Sequence, residues 1–239
     1  MLENMNLSGT LYDVRVLEAM RNIRIEDFIT MDMIETFIPT APNQKRKMDE
    51  DLIKMILLQL FAAFYSNRPL LFYNDPIYGR STSAPHMIAI MAQLIEVEEN
   101  DKVLVLGSKS GYLESIIQDM DKNIQLYIME KVHEIYNITE TNLKRIDAGE
   151  KVKIFELDPI LDLEKLDIDI FDKIFITGYM KELPDVLKKK VKIGGLICGP
   201  FGGKNTQTLI RYFKTGEDMF DEEDCGSVIF SPLITDYKN

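Results

Sequence analysis

The sequence predicts an α/β fold built on a mostly parallel, doubly wound sheet, with antiparallel strands near the C-terminus. Two patterns carry that expectation. From Lys102 onward, short apolar runs alternate with amphipathic stretches at helical spacing, as expected for strands buried on both faces beneath covering helices. The first run, residues 103–106, leads into Gly107, Gly111 and a helical stretch, which is the strand–turn–helix order of a nucleotide-type loop. With 239 residues, 46% of them hydrophobic and 28% charged, the chain has the size and composition of one globular core.

Taken in order, Val14, Val16, Leu17, Met20, Ile23 and Phe28 predict a first helix within residues 11–29. Residues 39–47, rich in Pro, Asn, Gln and Lys, read as a loop, after which Asp49 can cap a helix over 53–65. Residues 69–85 are too dense in Pro, Gly, Asn, Asp and Ser for regular structure throughout. Pro85 suits the first turn of a helix carrying Met87, Ile88, Met91, Leu94 and Ile95. Strands are then expected at 103–106, 125–129, 152–155, 173–177 and 196–198. Helices are expected at 110–120, 132–146, 183–191 and 206–213. Residues 216–224, six of nine acidic, read as a turn before a closing strand at 227–234.

Charge narrows the partners. Lys and Arg total 28 against 39 Asp and Glu, a net charge of −11, and basic runs such as Lys188 to Lys190 are short, so a nucleic-acid partner is not expected. The two cysteines, Cys198 and Cys225, build neither a disulfide framework nor a zinc pattern, so no metal is expected. The N-terminal residues lack a basic stretch and an apolar h-region. Apolar stretches such as 55–65 fall short of a membrane span and are interrupted by Gln59. A cytoplasmic protein without a membrane partner is expected.

In open α/β sheets the ligand lies beyond the carboxyl ends of the strands, where the strand order reverses. The candidate turn is Gly107-Ser108-Lys109-Ser110-Gly111. Glu130 stands nineteen residues after Gly111, at the end of the next strand, where a carboxylate can accept from the ribose hydroxyls of an adenosine ligand. It can equally serve as an ordinary acid at a helix N-terminus. Asp158, after the strand at 152–155, falls at the same edge and can accept from an adenine amino group or stand as a solvated loop acid.

Further motifs surround this edge. They are Val16-Leu17-Glu18-Ala19-Met20 with Arg24, Asp27 and Phe28; Tyr73, Asp75, Pro76 and Gly79; and Ser83-Ala84-Pro85-His86-Met87. Downstream come Ser110-Gly111-Tyr112, Glu130, Phe171-Asp172-Lys173-Ile174, Gly194-Gly195, Pro200, Gln207 and Phe230-Ser231-Pro232-Leu233. From Val16 to the C-terminus, with one interruption, the chain resembles the protein-L-isoaspartate O-methyltransferases. The resemblance implies a Rossmann-like S-adenosylmethionine-dependent methyltransferase fold, and transfer of the cofactor's methyl group to the α-carboxylate of isoaspartyl residues in damaged proteins. It places Ser83 as the active-site serine, with Ser83, Pro85 and His86 at the substrate. It places Gly107, Ser108, Ser110, Gly111, Glu130 and Asp158 at the cofactor. A second reading of Ser83 is a helix cap ahead of Pro85, and packing or support suits His86 better than proton transfer.

Three departures from the pattern stand out. Val105 replaces an acidic strand residue, Lys109 replaces the middle glycine of the loop, and Leu157-Asp158-Pro159 replaces a Gly-Asp-Gly. Residues 31–68 read as an inserted helical segment within a single methyltransferase-like domain, with two roles open to it, a lid or a subunit contact. Val105 and Lys109 also motivate an alternative from another class, a non-catalytic binding or interaction module that keeps the fold. A nicotinamide-dependent dehydrogenase is disfavoured, because no Gly-x-Gly-x-x-Gly loop is present.

Overall fold

A computed structural model of the chain describes residues 1–29, 49–73 and 80–238. The expected loop at 39–47 and residues 31–48 of the expected insertion lie outside the described residues.

Seven strands form the main sheet. They are β3 (Lys102–Leu106), β4 (Gln125–Glu130), β5 (Val152–Glu156), β6 (Phe171–Ile176), β7 (Val191–Gly203), β8 (Thr206–Lys214) and β9 (Phe220–Val228). Their order is β5-β4-β3-β6-β7-β8-β9, parallel from β5 to β7 and antiparallel from there to β9. β1 (Leu71–Tyr73) and β2 (Arg80–Ser81) pair separately as a small antiparallel unit, where the sequence had suggested irregular chain.

Burial along the strands explains the parallel centre. Val103 and Val105 join one core cluster, whereas Leu104 and Leu106 join a second, so successive residues of β3 face opposite layers. The first layer holds α2 (Val14–Asn22), α4 (Pro85–Leu94) and α5 (Tyr112–Met120), through residues such as Val16, Met20, Ile88, Met91 and Ile116. The second includes Leu187 of α7 (Asp185–Lys190). A short α1 (Leu2–Leu7) and α6 (His133–Arg145) complete the helices named here, with α3 (Glu50–Tyr65) before β1. Asp49 caps α3 as its sequence position suggests, accepting from the Asp51 amide at 2.9 Å.

Three C-terminal expectations are corrected. Residues 206–213, expected as a helix, are strand β8, in which Gln207, Leu209 and Arg211 are buried alternately. Leu209, Ile210, Tyr212 and Phe213 satisfy a helical spacing on paper, but Thr206, Thr208, Ile210, Tyr212 and Phe213 favour extended backbone once β7 offers a partner. The acidic run expected as a turn is edge strand β9, and the reversal is confined to 215–219, where the Thr215 amide donates to the Met219 carbonyl at 2.9 Å. Asp221 to Asp224 are exposed, and their like charges discourage pairing with another sheet edge. The closing segment 229–234 is correspondingly not a sheet strand; it crosses the ends of the strands, bridging Tyr179 through Pro232.

The inner end of α3 meets the start of α5. Phe28 and Phe64 both meet the Tyr112 ring edge-on, with centroids 5.2 and 5.7 Å away. Phe64→Ala should destabilise the chain by about 3 kcal/mol in urea unfolding, because it opens a void beneath Tyr112. Leu58→Ala, on the face of α3 where Leu58 is 69% exposed, should change stability by less than about 0.5 kcal/mol. Equal effects would contradict this placement of α3.

Candidate active site

The strand order reverses between β3 and β6, and the turn at residues 107–111 opens at that point. Gly107 and Gly111 have φ of +79° and +84°, with Ser110 also left-handed at +66°. A Cβ on Gly107 would lie 2.9 Å from both Thr177 and Leu233, so this position has room only for glycine. The Thr177 hydroxyl donates to the Gly107 carbonyl at 3.0 Å, joining the ends of β3 and β6.

Two buried carboxylates hold the turn. Glu130 accepts from the Ser108 amide through Oε2 and from the Val132 amide through Oε1, each at 2.8 Å. Glu114, from the first turn of α5, accepts through Oε1 from the Lys109 amide and the Ser108 hydroxyl, both at 3.0 Å. Burial pushes both carboxyl groups up from the usual range, against the pull of these donors. From the opposite side, Asn142 donates to the Ser110 carbonyl at 2.9 Å and to the Phe28 carbonyl at 3.1 Å, fixing the loop to the N-terminal segment. Sequence reading singled out Glu130 but missed Glu114 and Asn142. An acid in the first turn of a helix looks like ordinary macrodipole matching, and the one available signal was a charge on a helix otherwise rich in apolar residues.

Asp158 sits at the same edge, with both oxygens heavily used. Oδ1 accepts from the amides of Ile160 and Leu161 and from the Thr235 hydroxyl, while Oδ2 accepts from the Asp236 amide and Lys131. Burial raises its pKa, but the Leu161, Asp236 and Ile160 amides and the Thr235 hydroxyl outweigh that and hold it down at about 2. Lys131 also pairs with Asp236. The carboxylate thus clamps the C-terminal segment, which runs so close to the end of β6 that a Cβ on Gly178 would lie 2.5 Å from the Leu233 nitrogen.

Ser83 lines a cavity of about 370 Å³ together with His86, Met87, Lys109 and Phe230. Ser83 does not cap α4; Ala84 holds the cap position, and the Ser83 hydroxyl lies 3.7 Å from the Met91 sulfur. The neighbouring Thr82 hydroxyl is taken by the Leu70 amide at 3.1 Å. Pro85 is buried in the first turn of α4. His86 is held by Asn67, whose side-chain oxygen accepts from the His86 amide at 2.9 Å and lies 3.0 Å from Nδ1. Across the cavity, Gln207 grips Phe230 at both backbone atoms, at 2.7 and 3.2 Å.

The structure therefore gathers Gly107, Ser108, Ser110 and Gly111 in one turn with Glu130 bonded against it, sets Asp158 beneath the C-terminal segment, and joins Ser83 and His86 to the turn through Lys109. A sequence model of the protein-L-isoaspartate(D-aspartate) O-methyltransferases matches residues 46–238. The chain belongs to that family. Among its relatives, the protein-L-isoaspartate O-methyltransferase of Methanococcoides burtonii is 29% identical over 239 residues, covering 99% of both proteins. That of Dictyoglomus thermophilum is 32% identical over 161 residues, 67% of this chain and 70% of its own length. A Plasmodium falciparum chain described as a protein-L-isoaspartate O-methyltransferase, solved with S-adenosyl-L-homocysteine, superposes with a TM-score of 0.71 at 22% identity, covering 98% of this chain and 97% of its own. That likeness speaks for the fold.

Within the family pattern, Val105 is core filling, fully buried among the first layer of side chains, and a carboxylate reaches the loop from Glu114 on α5 instead.

Because the folded value of Asp158 lies below its ordinary 3.8, its clamp stabilises the C-terminal segment above about pH 4 and weakens as pH falls toward about 2. Hydrogen exchange should show the Asp236 amide protected at pH 4 and progressively exposed below it. Asp158→Ala should lose that protection at pH 4, and an unchanged amide would contradict the clamp.

Proposed function

We propose that this chain transfers the methyl group of S-adenosylmethionine to the carboxylate of isoaspartyl residues in proteins. The reading rests on one observation above the others: the Ser83 cavity and the Glu130 turn meet at Lys109, so the family's substrate serine and its cofactor turn share one space.

The residues fit an adenosine cofactor. Each carboxylate oxygen has two lone-pair sites, and each oxygen of Glu130 has spent one on a backbone amide, which leaves capacity for two ribose hydroxyls. Gly107 and Gly111 supply the close approach beside it. Asp158 fits less directly, because three donors on Oδ1 and two on Oδ2 leave no lone pair for an adenine amino group while Thr235 and Asp236 stay in place.

When bound, S-adenosylmethionine supplies an electrophilic methyl group on a sulfonium. The chain's own part is to position the acceptor. An isoaspartyl carboxylate is ionised at neutral pH and needs no general base. The Ser83 hydroxyl can donate to one carboxylate oxygen and leave the other to react, and the walls formed by Met87 and Phe230 exclude water. His86, occupied by Asn67, supports the wall. The partners are isoaspartyl-containing proteins or peptides, and the proposed compartment is the cytoplasm. No helix among the described residues is long and apolar enough to cross a membrane. The non-catalytic alternative gains nothing from Val105, which packs in the core, or from Lys109, whose side chain lines the Ser83 cavity.

Incubation with methyl-labelled S-adenosylmethionine and an isoaspartyl peptide should give a base-labile methyl ester. Ser83→Ala should lower kcat/KM by about tenfold to a hundredfold with cofactor affinity kept. Ester formation no greater than in an enzyme-free control would overturn the reading. Glu130→Ala should weaken S-adenosyl-L-homocysteine binding by about tenfold or more, since it removes the ribose acceptor and leaves the buried Ser108 amide and the half-buried Val132 amide unpaired.

A further inference from the structure

Lys109 stands where the family's loop pattern carries a glycine, yet the residue is only 9% exposed. Its hydrogen bonds run through the backbone, the amide to Glu114 and the carbonyl from the Ser110 hydroxyl, and none among the described residues reaches the ammonium. The ammonium lies 5.7 Å from the centre of the Phe230 ring, a contact that stabilises a cation only modestly. Glu114 and Glu130 act on it by charge, but their hydrogen bonds go to backbone amides and the Ser108 hydroxyl, so the ammonium keeps a desolvation cost that a bound anion would offset. The cavity that Lys109 lines with Ser83 includes no Asp or Glu in its wall, in a chain whose net charge is −11. The cavity wall itself is therefore cationic, with Glu114 and Glu130 outside it, and an anion complements that wall.

We propose that Lys109 binds the acceptor carboxylate in the Ser83 cavity, as a substrate-positioning cation. The proposal rests on the methyl-transfer reading for the identity of that anion. Carboxylate oxygens between the Lys109 ammonium and the Ser83 hydroxyl would be fixed by a charge-assisted hydrogen bond on one side and a neutral one on the other. The same arrangement resolves the repulsion between a lysine and a sulfonium, because the negative group lies between the two cations. Burial and the Arg80 charge push the ammonium down to about 8, while Glu114 and Glu130 pull it upward. A bound anion acts in the same direction as those two acids. His86, from α4, is the further titratable side chain on the cavity wall.

The test compares Lys109→Met, which keeps length and apolar packing, with Lys109→Arg, which restores the charge. Lys109→Met should raise KM for an isoaspartyl peptide at least tenfold, while calorimetric affinity for S-adenosyl-L-homocysteine stays within threefold. Lys109→Arg should recover most of the loss. In the wild type kcat/KM, which reports the free enzyme, should fall as pH rises through about 8, and the Met variant should lack that limb. A Met variant with wild-type KM and the same alkaline limb would overturn the proposal. A wild type that binds cofactor product and peptide but transfers no methyl group would instead sink the methyl-transfer reading. Peptide affinity by calorimetry would then decide for Lys109, being at least tenfold weaker in Lys109→Met or refuting the role if unchanged.

Discussion

The fold's working edge depends on satisfying the backbone amides of one tight, buried turn. Ser108 and Lys109 present their N–H groups away from water, and left-handed backbone at Gly107, Ser110 and Gly111 removes the regular partners they would have in a strand or helix. Two carboxylates meet that demand, Glu130 from the end of β4 and Glu114 from the start of α5. Neither would be stable in its place without the turn, because a buried carboxylate is tolerated only when hydrogen-bonded. The turn and the acids therefore stabilise each other, and the ends of β3, β4 and α5 are held together by that exchange.

Charge at the site follows from the same constraint. Burial disfavours the ionised forms of Glu114, Glu130 and Lys109 alike, and each acid offsets part of the cost of the base. With the loop carboxylate supplied by Glu114 from the helix, Val105 on the strand packs among apolar side chains. The loop carries a lysine that lines the Ser83 cavity. The pair of changes that weakens the family pattern in sequence is, in space, a redistribution of charge around one turn.

Much of this was legible beforehand. The alternation after Lys102 predicted a parallel sheet, because strands covered on both faces leave that signature, and the spacing of Glu130 after Gly111 agreed with its place against the turn, where it accepts from the Ser108 amide. Residues 206–213 misled because apolar spacing over eight residues suits a helix and a strand equally, and only pairing with β7 separates them. Asp158 looked like a residue awaiting a ligand, since its partners Thr235 and Asp236 lie 77 and 78 positions away in sequence. Lys109 looked like an obstacle because sequence records a side chain's chemistry and not its direction.

The most direct test of the account is calorimetric titration of S-adenosyl-L-homocysteine into the wild type and Glu114→Gln. The amide keeps the size of the side chain but weakens its grip on the Ser108 hydroxyl and Lys109 amide. The account predicts one site of micromolar affinity in the wild type and at least a tenfold loss in the variant, about 1.4 kcal/mol. A wild type that does not bind, or a variant that binds equally well, would contradict the claim that these two carboxylates build the cofactor turn.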